Sequence, residues 1–463
     1  MYDESLQRYE ALLEQTEAMI REAYTGLAGR IAANDEACRA IVFNSLPWKR
    51  EQWIEIRGRW QKVQVPAMGY TTVAVQPEAG ESTDASPEES SESVMESAAG
   101  YEEAVRVSVN ERTLENDKLT VTFDPDGTIR SIIDKEAGRE VIPPGEAGNR
   151  LHVYEDEGDA WDFRHDYAAT AGQPLSLIDV QPYDRGPISG LIFRYRFGES
   201  ELTQTVKLSE GSRRIDFETI VDWRERGKML RTSFPVNVRS EHVTCEIQFG
   251  SISRPTHRNT MWDFAKDEIC AHQWIDMSEP DYGVALLNDC KYGHRACGNV
   301  LDLNLLRSSS YPDPDADEAE HWFTYSLYPH LGNHVQAEVY KRGHELNIPL
   351  RIAEASADPA VTSRKQREPR SFLSLGHPHV MVESVKKAED GDDIIVRLFE
   401  TSGTRIQTGL QLGFAAEEAW TADLLERKLS RMDLEDGALI PLTFAPFEII
   451  TLRLKAAMAS SRP

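Results

Sequence analysis

Between Leu119 and Tyr328 the apolar residues fall in short runs of period two, each closed by turn residues. Leu119, Val121 and Phe123 alternate with Thr120 and Thr122. Asp124-Pro125-Asp126-Gly127 then reverses the chain, and Ile129, Ile132 and Ile133 resume it, which is a hairpin pattern. Leu191–Phe197, Leu202–Leu208, Arg214–Trp223, Val243–Phe249, Gly283–Leu287, Leu301–Leu306 and Trp322–Tyr328 continue the series. Almost no helical period interrupts it. Each such strand has to bury one face, so the segment is constrained to stacked antiparallel sheets.

The flanks read differently. Residues 1–32 carry a helical seam, Tyr2, Leu6, Tyr9, Leu13, Thr16, Ile20, Ala23 and Leu27, widened by Leu12 and Met19. A lone helix of this length is marginal in water and must dock on something. Ile41–Trp48 is a strand ending in a turn, followed by strands Gln52–Ile56 and Thr71–Val75. Glu78–Glu103 holds nine carboxylates and no Lys or Arg, too little apolar surface to order itself. After a polar linker, Ala357–Arg370, residues 372–455 form a last β module with expected strands Phe372–Leu375, Val380–Lys386, Ile394–Glu400, Gly409–Phe414, Trp420–Leu424 and Glu448–Leu454. The resulting division is 1–35, 38–77, 78–112, 113–356 and 371–456.

Charge and cysteines narrow the function. The 463 residues carry a formal charge of −26, a field that repels nucleic acid and anionic membrane. Cys38, Cys245, Cys270, Cys290 and Cys297 are scattered, without a C-x-x-C pair, which reads as free thiols in a reducing cytoplasm. With neither a signal peptide nor a long apolar run, the expected location is cytoplasmic.

Long ordered stretches carry a resemblance. Trp274–Gly293, with Tyr282-Gly283-Val284-Ala285-Leu286-Leu287-Asn288-Asp289 at its centre, Leu305–Asp317 and His321–His330 look like the C-terminal region of glycoside hydrolase family 38 α-mannosidases of the bacterial and cytosolic type. Gly127–Glu140, Arg397–Gly403 and Pro446–Leu454 agree with it. The resemblance implies a mainly β chain: a large antiparallel supersandwich, galactose-mutarotase-like, plus a smaller β-sandwich module, preceded by one helix of a three-helix bundle. It implies hydrolysis of terminal α-mannosides with retention by the complete enzyme. Such enzymes use paired carboxyl groups about 5–5.5 Å apart, and the family adds a zinc ion. Its nucleophile, acid and zinc ligands belong upstream of this chain, so no catalytic residue and no metal are expected here. Tyr2-Asp3-Glu4-Ser5 matches the residues just past the family's zinc-binding His-Asp motif. The chain alone is then inactive and partners either a separate catalytic half or a second copy.

Candidate substrate contacts lie on loops. Asp156-Glu157-Gly158-Asp159-Ala160-Trp161-Asp162-Phe163 sets four carboxylates around an indole. Sugars stack C–H faces on such rings while carboxylates accept their hydroxyl hydrogens. Asp159, Trp161 and Asp162 are therefore candidates. The competing reading has Trp161 plugging the sandwich edge among solvated acids. The family usually has Pro at the position of Gly158, which suggests a looser loop here. His257, Lys291 and Tyr292 are further candidates, with Arg307, Asp317 and His321 also placed to rim a cleft. His377-Pro378-His379 offers two imidazoles on one strand face, without a third ligand. Two rival readings remain: a stand-alone carbohydrate-binding or scaffold protein, and a mutarotase-like epimerase, whose cleft His and Glu cannot be placed from the sequence.

Overall fold

The computed structural model describes residues 2–31, 38–74, 107–264, 266, 268–354 and 369–457. The acidic segment 78–103 lies outside them. The chain divides into two compact units, one of residues 98–347 with 401–403 and one of the remainder.

The first of these is the supersandwich. Nine strands run in the order Ser176–Asp184, Ile188–Phe197, Ser200–Ser209, Ile215–Asp222, Glu320–Leu331, Tyr282–Asn288, Trp274–Ser278, His242–Ile247, Gly250–Pro255, every neighbour antiparallel. A six-stranded sheet has the order Gln173–Pro174, Arg150–Glu155, Lys228–Pro235, Val300–Ser308, Gly293–Cys297, Ile269–Cys270. A five-stranded meander from Ser108 to Glu140 completes the unit. Leu286, Val206 and Phe217 of the large sheet, Leu230, Phe234 and Leu303 of the second, and Val121 and Phe123 of the meander all enter one hydrophobic core. Tyr282–Asn288 is buried along its whole length, which is why its sequence reads as a continuous apolar run instead of alternating.

The expected hairpin and the other named strands are all present. Those missed are more instructive. Arg59–Val65 pairs with Arg50–Ile56 in a two-stranded ribbon, yet only Val63 and Val65 of it are buried. Its polar face left little signal. Arg57 (φ 51°) and Gly58 (φ 74°) join the two strands, the two left-handed residues of a tight hairpin turn. After the last sandwich strand, Val339–Asn347 is helical and packs on Tyr282–Asn288 and Trp274–Ser278.

In the second unit, Cys38–Asn44 lies between Arg351–Glu354 and Gly69–Ala74. The later module forms a three-stranded and a five-stranded sheet around Val396, Leu398, Leu410, Phe444 and Leu452. Lys428–Met432 and Leu439–Phe444 are strands that the sequence reading passed over. Tyr2–Ile31 is the expected helix, and it docks through residues near its C-terminal end that lie off the apolar seam. Tyr24, Ala28 and Ile31 pack on Ile41, Phe43, Tyr70 and Ala353, and Arg351 pairs with Glu17 at 2.9 Å. The predicted seam stays out: Leu6, Tyr9, Leu13 and Leu27 are exposed.

His294 sits fully buried in the six-stranded sheet, its Nδ1 donating to the Tyr292 carbonyl at 3.2 Å. Burial pushes its imidazole down to about 4. The folded protein therefore resists protonation that the unfolded chain accepts near pH 6.5, and stability is lost as pH falls from there toward 4. This one group accounts for up to about 3 kcal/mol. Denaturant titrations at pH 7, 5.5 and 4.5 should show the loss, and His294→Asn should flatten part of it; parallel curves for the two proteins would refute this assignment.

Candidate sugar-facing loop

Three strands of the six-stranded sheet end together at Glu155, Lys228 and Ser308. Asp156 N–H donates to the Gly227 carbonyl and Gly227 N–H to the Ser308 carbonyl, both at 2.8 Å. The chain leaving this corner is the Asp156–Phe163 loop, and Arg307 holds it. Its Nε and Nη2 donate to the buried Asp156 carboxylate at 2.6 and 3.1 Å. Nη2 also donates to the Asp159 carbonyl at 2.6 Å and to the Asp162 carbonyl. The guanidinium lies 4.8 Å from the Phe163 ring centroid. One side chain thus fixes four points of the loop, and bidentate carboxylate pairing is what the planar guanidinium does best.

Gly158 makes the arrangement possible. A Cβ there would lie 2.0 Å from the Asp162 carbonyl oxygen and 2.8 Å from Arg307 Nη2. The loop is therefore tightly folded, a correction to the expectation that glycine would loosen it. Asp159 Oδ1 accepts from the backbone N–H groups of Trp161 and Asp162, both at 2.9 Å, and Asp162 Oδ1 accepts from Phe163 N–H at 2.8 Å. These carboxylates shape the turn. Trp161 is 74% exposed and so does not plug the sandwich edge. Its ring lies 6.2 Å from that of Tyr311, itself 63% exposed, and Ala160 N–H donates to the Tyr311 carbonyl at 2.8 Å. The two rings and the flanking carboxylates give an amphipathic surface of the kind that stacks on a sugar ring. Tyr311 was missed because nothing in Ser310-Tyr311-Pro312 foretells a long-range neighbour.

The other candidates do not all converge. Lys291 places its ammonium 4.6 Å from the Phe323 ring, and Tyr292 rests against His272 at 5.1 Å. Both precede Gly293–Cys297 at the end of the sheet that also carries Cys270. His257 lies elsewhere. The Thr256 carbonyl accepts from Gly298 N–H at 2.9 Å, beside the turn that enters Val300–Ser308, whereas Arg307 is at that strand's far end. At 3.3 Å per residue the two are roughly 25–30 Å apart. His257 faces Asp263 at 3.5 Å, and His321 bonds the Asp317 carbonyl at 2.9 Å.

Behind the loop the sheet carries a buried charge cluster. Arg231 Nε donates to Asp302 at 2.6 Å, and Nη2 donates to Glu268 at 3.2 Å. Tyr167 donates its hydroxyl to Glu268 at 3.1 Å and lays its ring 5.0 Å from the guanidinium. A bulge at Leu230/Arg231 re-aims this side chain, as bulges do. Burial raises the Glu268 carboxyl above its ordinary range, against the pull of Arg231. Among the described residues no three His, Cys, Asp or Glu side chains are grouped to hold a metal ion. In the His377–His379 pair, His379 N–H donates to His377 Nδ1 at 3.2 Å, which occupies that nitrogen. No described helix is long and apolar enough to cross a membrane.

Comparison with known proteins gives the family. Residues 114–315 match the glycosyl hydrolases family 38 C-terminal domain, and residues 379–452 match that family's C-terminal beta sandwich domain. Alpha-mannosidase 2C1 of Homo sapiens is 35% identical over 432 residues, covering 89% of this chain and 39% of its own length. Alpha-mannosidase G of Dictyostelium discoideum is 39% identical over 299 residues, covering 63% and 27%. The crystal structure of an alpha-mannosidase from Enterococcus faecalis V583 superposes with a TM-score of 0.74 at 14% identity, covering 97% of this chain and 60% of that one. The chain thus spans about two-fifths of the length of the human relative. It is built from the C-terminal domains of glycoside hydrolase family 38 and belongs to that family.

Proposed function

We propose that this chain is the β-rich C-terminal portion of a cytosolic α-mannosidase, which hydrolyses terminal α-D-mannosides with retention, and that its Arg307-held loop forms one wall of the sugar site. The observation that carries the reading is the 35% identity to a human α-mannosidase over most of the chain. The exposed Trp161 and its flanking carboxylates support the wall. The paired carboxyl groups and the zinc ligands of the reaction are assigned to the part of the relatives that this chain does not span. Hydrolysis of an aryl α-mannoside is the test, with this chain alone and then with a supplied catalytic part. No turnover is expected alone and zinc-dependent turnover together; metal-dependent turnover by residues 1–463 alone would overturn the assignment.

The free face of the first helix supports the same reading. Leu6, Tyr9, Leu12 and Leu13 are exposed, and each is worth roughly 1.5–3 kcal/mol when fully buried. The expected occupant is the catalytic part, with a second copy of this helix as the substitute in its absence. Leu6→Asp combined with Leu13→Asp should abolish both associations in sedimentation velocity while the β units keep their melting temperature. A wild-type chain that stays monomeric and ignores the catalytic part would show the face to be unused.

A further inference from the structure

The Asp156–Phe163 loop continues to Gln173, and its return path encloses a cleft of about 350 Å³ against the strand Arg150–Glu155. That volume is at the small end of sites for organic ligands. Tyr154 and Tyr167 wall it, their rings edge-to-face with centroids 5.2 Å apart and planes at 81°. Gly172 lets the return path cross close over Tyr154, since a Cβ there would lie 2.6 Å from the ring.

The lining is equally polar and apolar, and its charged groups are mostly acidic. Glu157 and Asp166 both pair with Arg164, at 3.4 and 2.9 Å, and Glu155 pairs with Lys228. One lining cation, Arg164, against three lining carboxylates, Glu155, Glu157 and Asp166, leaves a negative excess, which disfavours phosphate, sulfate and carboxylate ligands. Among the described residues, the Gln173 amide and the Tyr154 hydroxyl make no hydrogen bond to the protein. A side-chain amide provides both donor and acceptor, and a phenol likewise. Free donors and acceptors beside aromatic faces, without net cationic charge, match the hydroxyls and C–H faces of a neutral saccharide.

We infer that this cleft is a second saccharide-binding subsite, distinct from the Trp161 surface, which takes a neutral sugar unit of one or two rings. The inference rests on the mannosidase reading for the identity of the sugar: a unit of an α-mannoside. Gln173 binds ring hydroxyls, Tyr154 adds a hydroxyl contact, and Tyr167 supplies the apolar wall.

The test is calorimetric titration of α-linked mannobiose into residues 1–463 and into Trp161→Ala, Gln173→Ala and Tyr154→Phe. Melting curves establish that each variant is folded. The expected result is measurable wild-type binding that Gln173→Ala weakens at least fivefold, with a smaller loss in Tyr154→Phe. Binding lost in Trp161→Ala and unchanged in Gln173→Ala overturns the cleft and leaves the proposed wall standing. No binding to the wild type at millimolar sugar also overturns it, while the aryl mannoside assay with the catalytic part decides the mannosidase reading separately.

Discussion

Replacement of Arg307 by methionine is expected to cost about 3–5 kcal/mol, because it leaves the Asp156 carboxylate buried without its counter-charge. Asp156 is 4% exposed and receives both forks of the guanidinium. The same change frees the Asp159 and Asp162 carbonyls, so the loop loses its hold on Trp161 as well as its stability. Urea denaturation of the wild type and variant measures the first effect. Trp161 fluorescence quenching by acrylamide, with the other tryptophans as the common background, follows the second. Arg307→Lys should recover only part of the loss, since an ammonium keeps the charge but cannot span the carboxylate and two carbonyls at once. Asp156→Asn in the methionine background should recover more, by removing the buried charge itself. A loss below about 1 kcal/mol in Arg307→Met would place this pair with ordinary surface ion pairs and end its role as the fastening of the loop.

Several strands with one face on the core and the other toward water were legible, although Arg150–Glu155, which also alternates, was passed over. Leu119–Phe123 alternates buried and half-buried positions along its length, and that period is written directly in its residues. Arg59–Val65 was not legible, because a ribbon with two buried valines carries too few apolar positions to count. The first helix shows a different limit. Its most regular apolar stripe is exposed, while Tyr24, Ala28 and Ile31, an unremarked stripe, make its contacts. Spacing reveals that a face is apolar but not which surface covers it. At the candidate site the sequence identified the loop, since acids around an indole are a local pattern. It gave no hint that Arg307, 151 positions from Asp156, would hold that loop, or that His257 would lie at the other end of a strand. Long-range pairings of this kind depend on sheet order, which no single segment encodes.

Sheet order also sets the second large effect, at Arg231. This side chain is 1% exposed and lies between Asp302 and Glu268, both brought to it by neighbouring strands and loops of the six-stranded sheet. Arg231→Met should cost about 3–5 kcal/mol at pH 7, the usual penalty for leaving partners of a buried ion pair uncompensated. The pH dependence separates this cause from a mere packing defect. Burial already raises the Glu268 carboxyl in the wild type, and Arg231 opposes that rise. A carboxyl whose folded pKa is raised contributes stability that is present below its ordinary range and is lost as pH climbs through the raised value. Removing the guanidinium removes the opposing pull, so the raised range extends upward and the penalty at neutral pH grows. Acidification lets Glu268 take up a proton and cease to need a cation, and the deficit of Arg231→Met relative to wild type should narrow between pH 7 and 5. Adding Glu268→Gln and Asp302→Asn to the variant should recover at least half of the loss at pH 7 and leave little pH dependence. A deficit that stays constant across this range, and that the neutral amides do not relieve, would mean that Arg231 acts by filling space beside Tyr167 and not by balancing charge.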